Sequence, residues 1–419
     1  MLPHAWPLFN RLLDVGRQDT TDFLDNTLGL LGSSLSILAE QLPAVPQAWV
    51  SWAMAQRYVA AAAPDWTTDW SYPTDIAITY GGPRGVFHRP VEISPGVLID
   101  FADELTKTIE AIFEETAETE TIPATRVITS FLHFARGGID RVLPRLITAL
   151  VKSFSAAKTE ELIRALAVSL SAALVYNAAG TISVIFSVVG SADAPAFISR
   201  WFGELGSLSK PVDIKLASLG LSCLIADTAA GTIPPAITAV LPAVVALAIM
   251  LVRKESAELT RVAAQVAERA ARTRGSSDSS GRAESGGDAG VESDEDVGGD
   301  AAGADDGSYE ESEFDADSNE GSDYDDDDPD TVESPLDHVH TLLFFSRAIN
   351  ALGASPVWHT VAAGLSADAG EALRACEAQA AMLQQQGVVV GELGPTENEK
   401  LGIPLAARTP DGGGLLTPR

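Results

Sequence analysis

The chain has 419 residues and a mass of 43.9 kDa, with 28 Lys and Arg against 58 Asp and Glu, a formal net charge of -30. Two cysteines and six histidines exclude a disulfide framework and argue against a structural zinc site. So negative a balance also speaks against direct binding to nucleic acid, and makes a basic protein the natural partner. Hydrophobic residues at 46% supply a large core, enough for two or three domains or one elongated array.

The apolar spacing predicts a helix over 3–15, where Trp6, Leu8, Phe9, Leu12 and Leu13 form a stripe. A second is predicted over 22–41, and a third over 48–60 after the breakers Pro43 and Pro46. Residues 64–95 carry five prolines, a Gly81-Gly82 pair and no helical apolar period. They are expected to form an irregular loop insertion, with at most a short extended run over 76–80. Helices return over 96–115 and 123–135. The clearest pair follows, 139–154 and 159–176, joined by four residues and therefore expected to be antiparallel neighbours. Leu143, Leu146, Ile147, Leu150, Val151 and Phe154 give the first of these a single apolar face. Further pairs are predicted at 179–189 with 194–208, and at 212–227 with 235–254. An amphipathic, charged helix continues over 256–272.

Residues 228–252 contain no charge, a length that fits a membrane span. Pro234, Pro235 and Pro242 interrupt the run, and a buried helix of a stack is the preferred expectation. Met1 leads directly into an amphipathic segment with Arg11 and Asp14, which is not a secretory leader pattern.

The charge is concentrated over 275–334, with 23 acidic residues and one basic residue, Arg282, a net of -22. Like charges repel, and Gly, Ser and Ala cannot bury enough apolar area to offset ordering, so a disordered acidic insert is expected. Tyr309, Phe314 and Tyr324 interleave with the acids as apolar anchors, which suits a contact surface for a basic protein. The candidate contacts are Asp294, Glu295, Asp296, Glu310, Glu311, Asp325, Asp326, Asp327, Asp328 and Asp330. Beyond the insert, helices are predicted over 336–352, 356–365 and 368–386, followed by a loose Gly- and Pro-rich tail over 387–419.

Helices tiled in pairs every few tens of residues indicate an all-α fold of the alpha-solenoid kind, with an irregular period that suits HEAT or armadillo repeats. The expected division is helical repeats over 1–63, the loop insertion over 64–95, HEAT-like repeats over 96–274, the acidic insert over 275–334, a C-terminal helical repeat over 335–386 and a disordered tail over 387–419.

Chemistry-bearing motifs are not found in the sequence. Gly81-Gly82-Pro83-Arg84-Gly85 lacks the Lys-Ser/Thr of a phosphate loop, and no His-Glu-x-x-His occurs. His338 and His340, two apart on a predicted helix, point in different directions. Asp325 to Asp328 lack the ligand spacing of an EF-hand. Cys223, in an apolar helix, reads as a core residue. The expectation is a binding protein rather than an enzyme, without cofactor or metal.

Three stretches then resemble the late HEAT repeats of the importin-beta superfamily, the karyopherins. They are Gly138-Ile139-Asp140-Arg141-Val142-Leu143-Pro144, the run LSAALVYNA over 170–178 and the run KLASLGLSCLI over 215–225. The order of parts is similar as well: an acidic run, Asp330, Pro335-Leu336-Asp337, then a final helical group. This arrangement is closest to importins of the nine type. The resemblance implies a nuclear import receptor that carries basic cargo, such as histones or ribosomal proteins, and shuttles between nucleus and cytoplasm. It also implies coupling to GTP-bound Ran and contact with nucleoporins, with the acidic insert beside the cargo. Receptors of this class are about twice as long or more, and their main GTPase-binding repeats have no counterpart here. The chain is therefore expected to correspond to a C-terminal portion.

Overall fold

A computed structural model describes residues 2–14, 16, 22–62, 64–94, 96–277, 334–391 and 393. Among these, fourteen α-helices and one small hairpin are found. The chain divides into a larger unit, Met1–Leu259 with Glu333–Arg419, and a smaller one, Thr260–Val332. The larger unit holds the helical core and both strands.

Its helices are α1 (Leu2–Leu12), α2 (Leu24–Leu38), α3 (Pro46–Ala62), α4 (Thr67–Gly81), α5 (Phe101–Glu115), α6 (Glu118–Phe134) and α7 (Leu143–Ala156). After these come α8 (Glu160–Val189), α9 (Ala194–Leu205), α10 (Pro211–Ala229) and α11 (Leu241–Ser277), whose end enters the smaller unit. The last three are α12 (Thr341–Gly353), α13 (Trp358–Gly364) and α14 (Ala367–Gln385). Strands β1 (Val91–Ser94) and β2 (Val97–Ile99) pair antiparallel between α4 and α5.

The helices sort by alternate number. Even-numbered helices pack on one another in order, α2 on α4, α4 on α6, and so on through α8, α10 and α12 to α14. Odd-numbered helices form the other layer: α1 on α3, α3 on α5, α5 on α7. Phe154 of α7 then meets Phe197 of α9 edge to face at 5.3 Å, and Pro242 of α11 abuts Gly364 of α13. Short connections force this alternation, because each helix of a pair turns back on its predecessor and the next pair covers the apolar faces left open. One apolar core runs from Trp6 to Ala380.

Local chemistry sets the spacing of the layers. Gly220 of α10 faces α8 so closely that a Cβ would lie 2.7 Å from the Ser171 carbonyl oxygen. The α8–α10 approach therefore depends on a residue without a side chain. Trp49 and Trp52 of α3, Phe87, Phe101 of α5 and Phe131 of α6 form an edge-packed aromatic cluster joining both layers. Above it, buried Gln56 accepts from Trp70 Nε1 at 2.8 Å and donates to Thr74 Oγ1 at 3.1 Å.

Several predicted boundaries change. Residues 64–95 are not an irregular loop: Thr67 to Gly81 are helical and 91–99 hold the hairpin. The extended run expected over 76–80 is helical too. The helix begun at 96 starts only at Phe101, where Asp100 accepts the N–H groups of Ala102 and Asp103, both at 3.1 Å, as its N-cap. The break expected between 176 and 179 is present at Asn177 (φ -161°, ψ 93°). There Asn177 Oδ1 accepts the Gly180 N–H at 2.7 Å and caps the second half of α8. The charge-free run is divided: Pro235–Ala239 is a short 3-10 turn, α11 begins at Leu241, and Val244, Val245, Ala248, Ile249 and Leu251 are buried. Among the described residues one helix, α8, is long and apolar enough to cross a membrane, and half of its apolar window is buried against other helices. α11 runs to Ser277, three residues into the predicted insert. The tail does not begin loose at 387, since Val390 O accepts the His340 N–H at 3.0 Å and Val388 and Val390 pack on the core.

Candidate functional site

All ten acidic residues singled out in the sequence, Asp294, Glu295, Asp296, Glu310, Glu311, Asp325, Asp326, Asp327, Asp328 and Asp330, lie outside the described residues. Tyr309, Phe314 and Tyr324 do too. The places where the chain leaves and rejoins the larger unit are described, and they meet.

On the leaving side stands Glu255 of α11, which is buried. Its Oε1 accepts from Thr341 Oγ1 of α12 at 2.8 Å, while its Oε2 has no partner among the described residues. On the rejoining side, Leu336 and Val339 are buried. The Asp337 carboxylate accepts the Ser334 N–H at 2.7 Å. Lys215 of α10 donates to the Asp337 carbonyl at 3.3 Å and lies within electrostatic reach of Glu255 and His340. Burial raises the Glu255 carboxyl above its ordinary value, partly offset by Thr341 and Lys215, and lowers the His340 imidazole. α10, α11, α12 and the rejoining turn thus meet near the points where the chain leaves and rejoins the larger unit. Pro335-Leu336-Asp337 forms the rejoining turn, so its role here is anchorage. His338 and His340 precede α12 rather than sit on a helix, and no cluster of metal-ligating side chains occurs among the described residues.

The two layers differ in how their charges are satisfied. In the odd layer, Arg57 of α3 grips Glu104 of α5 through two bonds of 2.8 Å. Arg145 of α7 bridges Asp103 and Glu110 of α5, and Arg141 pairs with Asp100. Burial would push the Asp100 carboxyl up, but the Arg141 guanidinium and the Asp103 N–H hold it below its usual value. In the even layer, Asp75 of α4 and Asp213 and Asp227 of α10 form no ion pair among the described residues. Burial pushes all three carboxyls up, Asp75 to about 6. The Asp75 Oδ1 is sealed from solvent without a partner, although Ser130 of α6 bonds the carboxyl. Exposed Arg126 of α6 lies within electrostatic reach of both Asp75 and Asp213. A desolvated carboxylate that solvent can reach and that has no direct ion pair gains from an incoming ammonium or guanidinium group. No sequence pattern marks these three, because their condition depends on neighbours from α6 and α10.

A groove of about 500 Å³ opens between α5, α6, α7 and α8, with Phe113, Pro144 and Leu162 as apolar lining and Glu114 and Lys152 as charged lining. Glu118 in the same groove is committed, accepting the N–H groups of Lys158 and Thr159 at 2.9 and 2.8 Å. Cys223 keeps a buried thiol pushed up to about 12, far from the thiolate a nucleophile requires.

Comparison with known protein families, curated proteins and solved structures finds no match to this chain.

Proposed function

We propose that the chain is the cargo-binding part of a nuclear import receptor, a HEAT-like alpha solenoid that binds basic proteins such as histones and responds to Ran-GTP. The observation that carries this reading is a segment of net charge -22 that leads from the end of α11 to the turn before α12. The two-layer ladder of helices supports the solenoid part of the reading. The family resemblance contributes the transport role, the GTPase and the nuclear and cytoplasmic location.

The mechanism is affinity without catalysis. The acidic insert raises the local concentration of a basic partner and speeds encounter, an effect that salt weakens. The half-buried even-layer carboxylates Asp213 and Asp227 then offer short-range sites for Lys and Arg, where binding gives a desolvated charge an ion-pair partner. A histone chaperone that never enters the pore shares every one of these features except response to the GTPase.

The test is capture of purified core histones by the full chain, with and without excess Ran-GTP. Binding that weakens with salt and changes with Ran-GTP is the expected result. Salt-sensitive binding indifferent to Ran-GTP would assign the chain to the chaperone class, and no binding near 0.1 M salt would defeat both readings.

A further inference from the structure

Three titratable side chains meet where α10, α11 and the turn before α12 come together, and no two of them form an ion pair among the described residues. Glu255 of α11 is 6% exposed. Its Oε1 accepts from Thr341 Oγ1 at 2.8 Å, while Oε2 is sealed without a partner. His340, the residue before α12, likewise has its Nδ1 sealed and unpartnered. Lys215 of α10 is within electrostatic reach of both. Its ammonium donates instead to the Asp337 carbonyl, at 3.3 Å longer than an ordinary N–H···O bond. The neighbouring charges are placed elsewhere: Lys254 of α11 donates to the Leu208 carbonyl, and the Asp337 carboxylate accepts the Ser334 N–H. Glu258, three residues on along α11, adds a further negative charge on that helix. An unpaired carboxylate in so buried a place costs far more than the neutral acid.

We propose that this junction is a proton-operated latch on the turn that leads into α12. With Glu255 protonated, Lys215 stays on the Asp337 carbonyl and holds the turn to α10. When the proton passes to solvent, the carboxylate draws the Lys215 ammonium to Oε2, and the Asp337 carbonyl loses its donor. The flexible lysine stem permits the exchange without movement of α10. Leu336 and Val339 stay buried, so the turn loosens and does not unfold. The sign follows from burial, which raises the Glu255 carboxyl above its ordinary value against the opposing pull of Thr341 and Lys215. Stability from the latch is full below the ordinary carboxylate value and is lost as pH rises through the raised one. His340 acts with the opposite sign. Burial, and to a lesser degree Lys215, lowers its imidazole, and charging it in acid sets a second cation beside Lys215. Its contribution is lost as pH falls through that lowered value, which bounds the latch on the acid side.

Hydrogen exchange of the full chain, followed over residues 334–353 from about pH 4.5 to about pH 8 and divided by unfolded-chain rates at each pH, tests this. Protection of the turn and the first turn of α12 is expected to fall at least about threefold as pH rises through the carboxyl range. Glu255→Gln, a neutral replacement of the same shape, is expected to keep protection high up to the top of the range. Lys215→Met is expected to move the fall to higher pH, because the ionised carboxyl then has no cation to draw. His340→Gln removes the acid-side loss and leaves the fall in place. Circular dichroism confirms that each variant folds, and if Glu255→Gln does not, the shift in Lys215→Met decides. A native profile that is flat across the range overturns the proposal. So does a fall that persists in Glu255→Gln, that keeps its midpoint in Lys215→Met, or that vanishes in His340→Gln.

Discussion

At the scale of single residues, Asp75 of α4 and His133 of α6 show how burial decides charge. Burial holds the Asp75 carboxyl at about 6, so the folded chain keeps a proton that the unfolded chain has released. Stability from that proton is full below the ordinary carboxylate value and is lost as pH rises through 6. Burial, with help from Arg136, lowers the His133 imidazole to about 4, and its Nε2 is sealed without a partner. This group has the opposite sign: its contribution is full above about 6.5 and is lost as pH falls toward 4. Asp75→Asn should therefore raise stability at pH 7.5 by up to about 2 kcal/mol and by about half as much at pH 5, which lies between the two carboxyl values. His133→Gln should help at pH 5 more than at pH 7.5. Urea unfolding of both variants at the two pH values is the check, and equal gains from Asp75→Asn at both would show that the carboxyl does not titrate as its burial requires. Neither behaviour is legible in the sequence, where Asp75 is one acid among 58.

At the scale of elements, α4 explains where reading by apolar period fails. Its inward positions are Thr67, Trp70, Pro73, Thr74, Ala77, Ile78 and Gly81, a helical spacing filled partly by threonine and glycine. The period is there but is only partly carried by apolar residues, and Pro73 makes it look broken. The hydroxyls are accommodated by partners from other helices, Thr67 by Glu120 at 3.0 Å and Thr74 by Gln56. α7 is the contrary case: its inward row is wholly apolar and stands out in the sequence. The contact of α8 with α10 gives a test of element packing. Gly220→Val inserts a side chain where only 2.7 Å separates a Cβ from the Ser171 carbonyl, and should cost about 2–3 kcal/mol in thermal or urea unfolding. Gly190→Ala, with φ at 91° and open space around it, tests the other kind of glycine cost, a backbone one of about 1 kcal/mol.

At the scale of the whole molecule, charge and fold are separate in the chain. The net of -22 over 275–334 leaves -8 for everything else. If the insert draws a basic partner, replacing Asp325 to Asp328 by Asn should weaken histone binding several-fold near 0.1 M salt and reduce the salt dependence, without altering thermal unfolding of the helices. Titration of binding against salt checks this. An unchanged slope would mean that the partner is held by the helices alone.

The sequence by itself determined the all-helical class, most helix positions, the break near Asn177 and the isolation of acidic charge, because these follow from local spacing and composition. Tertiary structure alone decided that α4 is a helix, that ion pairs gather on α3, α5 and α7 while Asp75, Asp213 and Asp227 go without, and that Glu255 and Thr341, 86 positions apart, join α11 to α12. The reason is the same in each case: burial and partnership are properties of neighbours distant along the chain, and periodicity records only which side of a helix faces inward, not what meets it there.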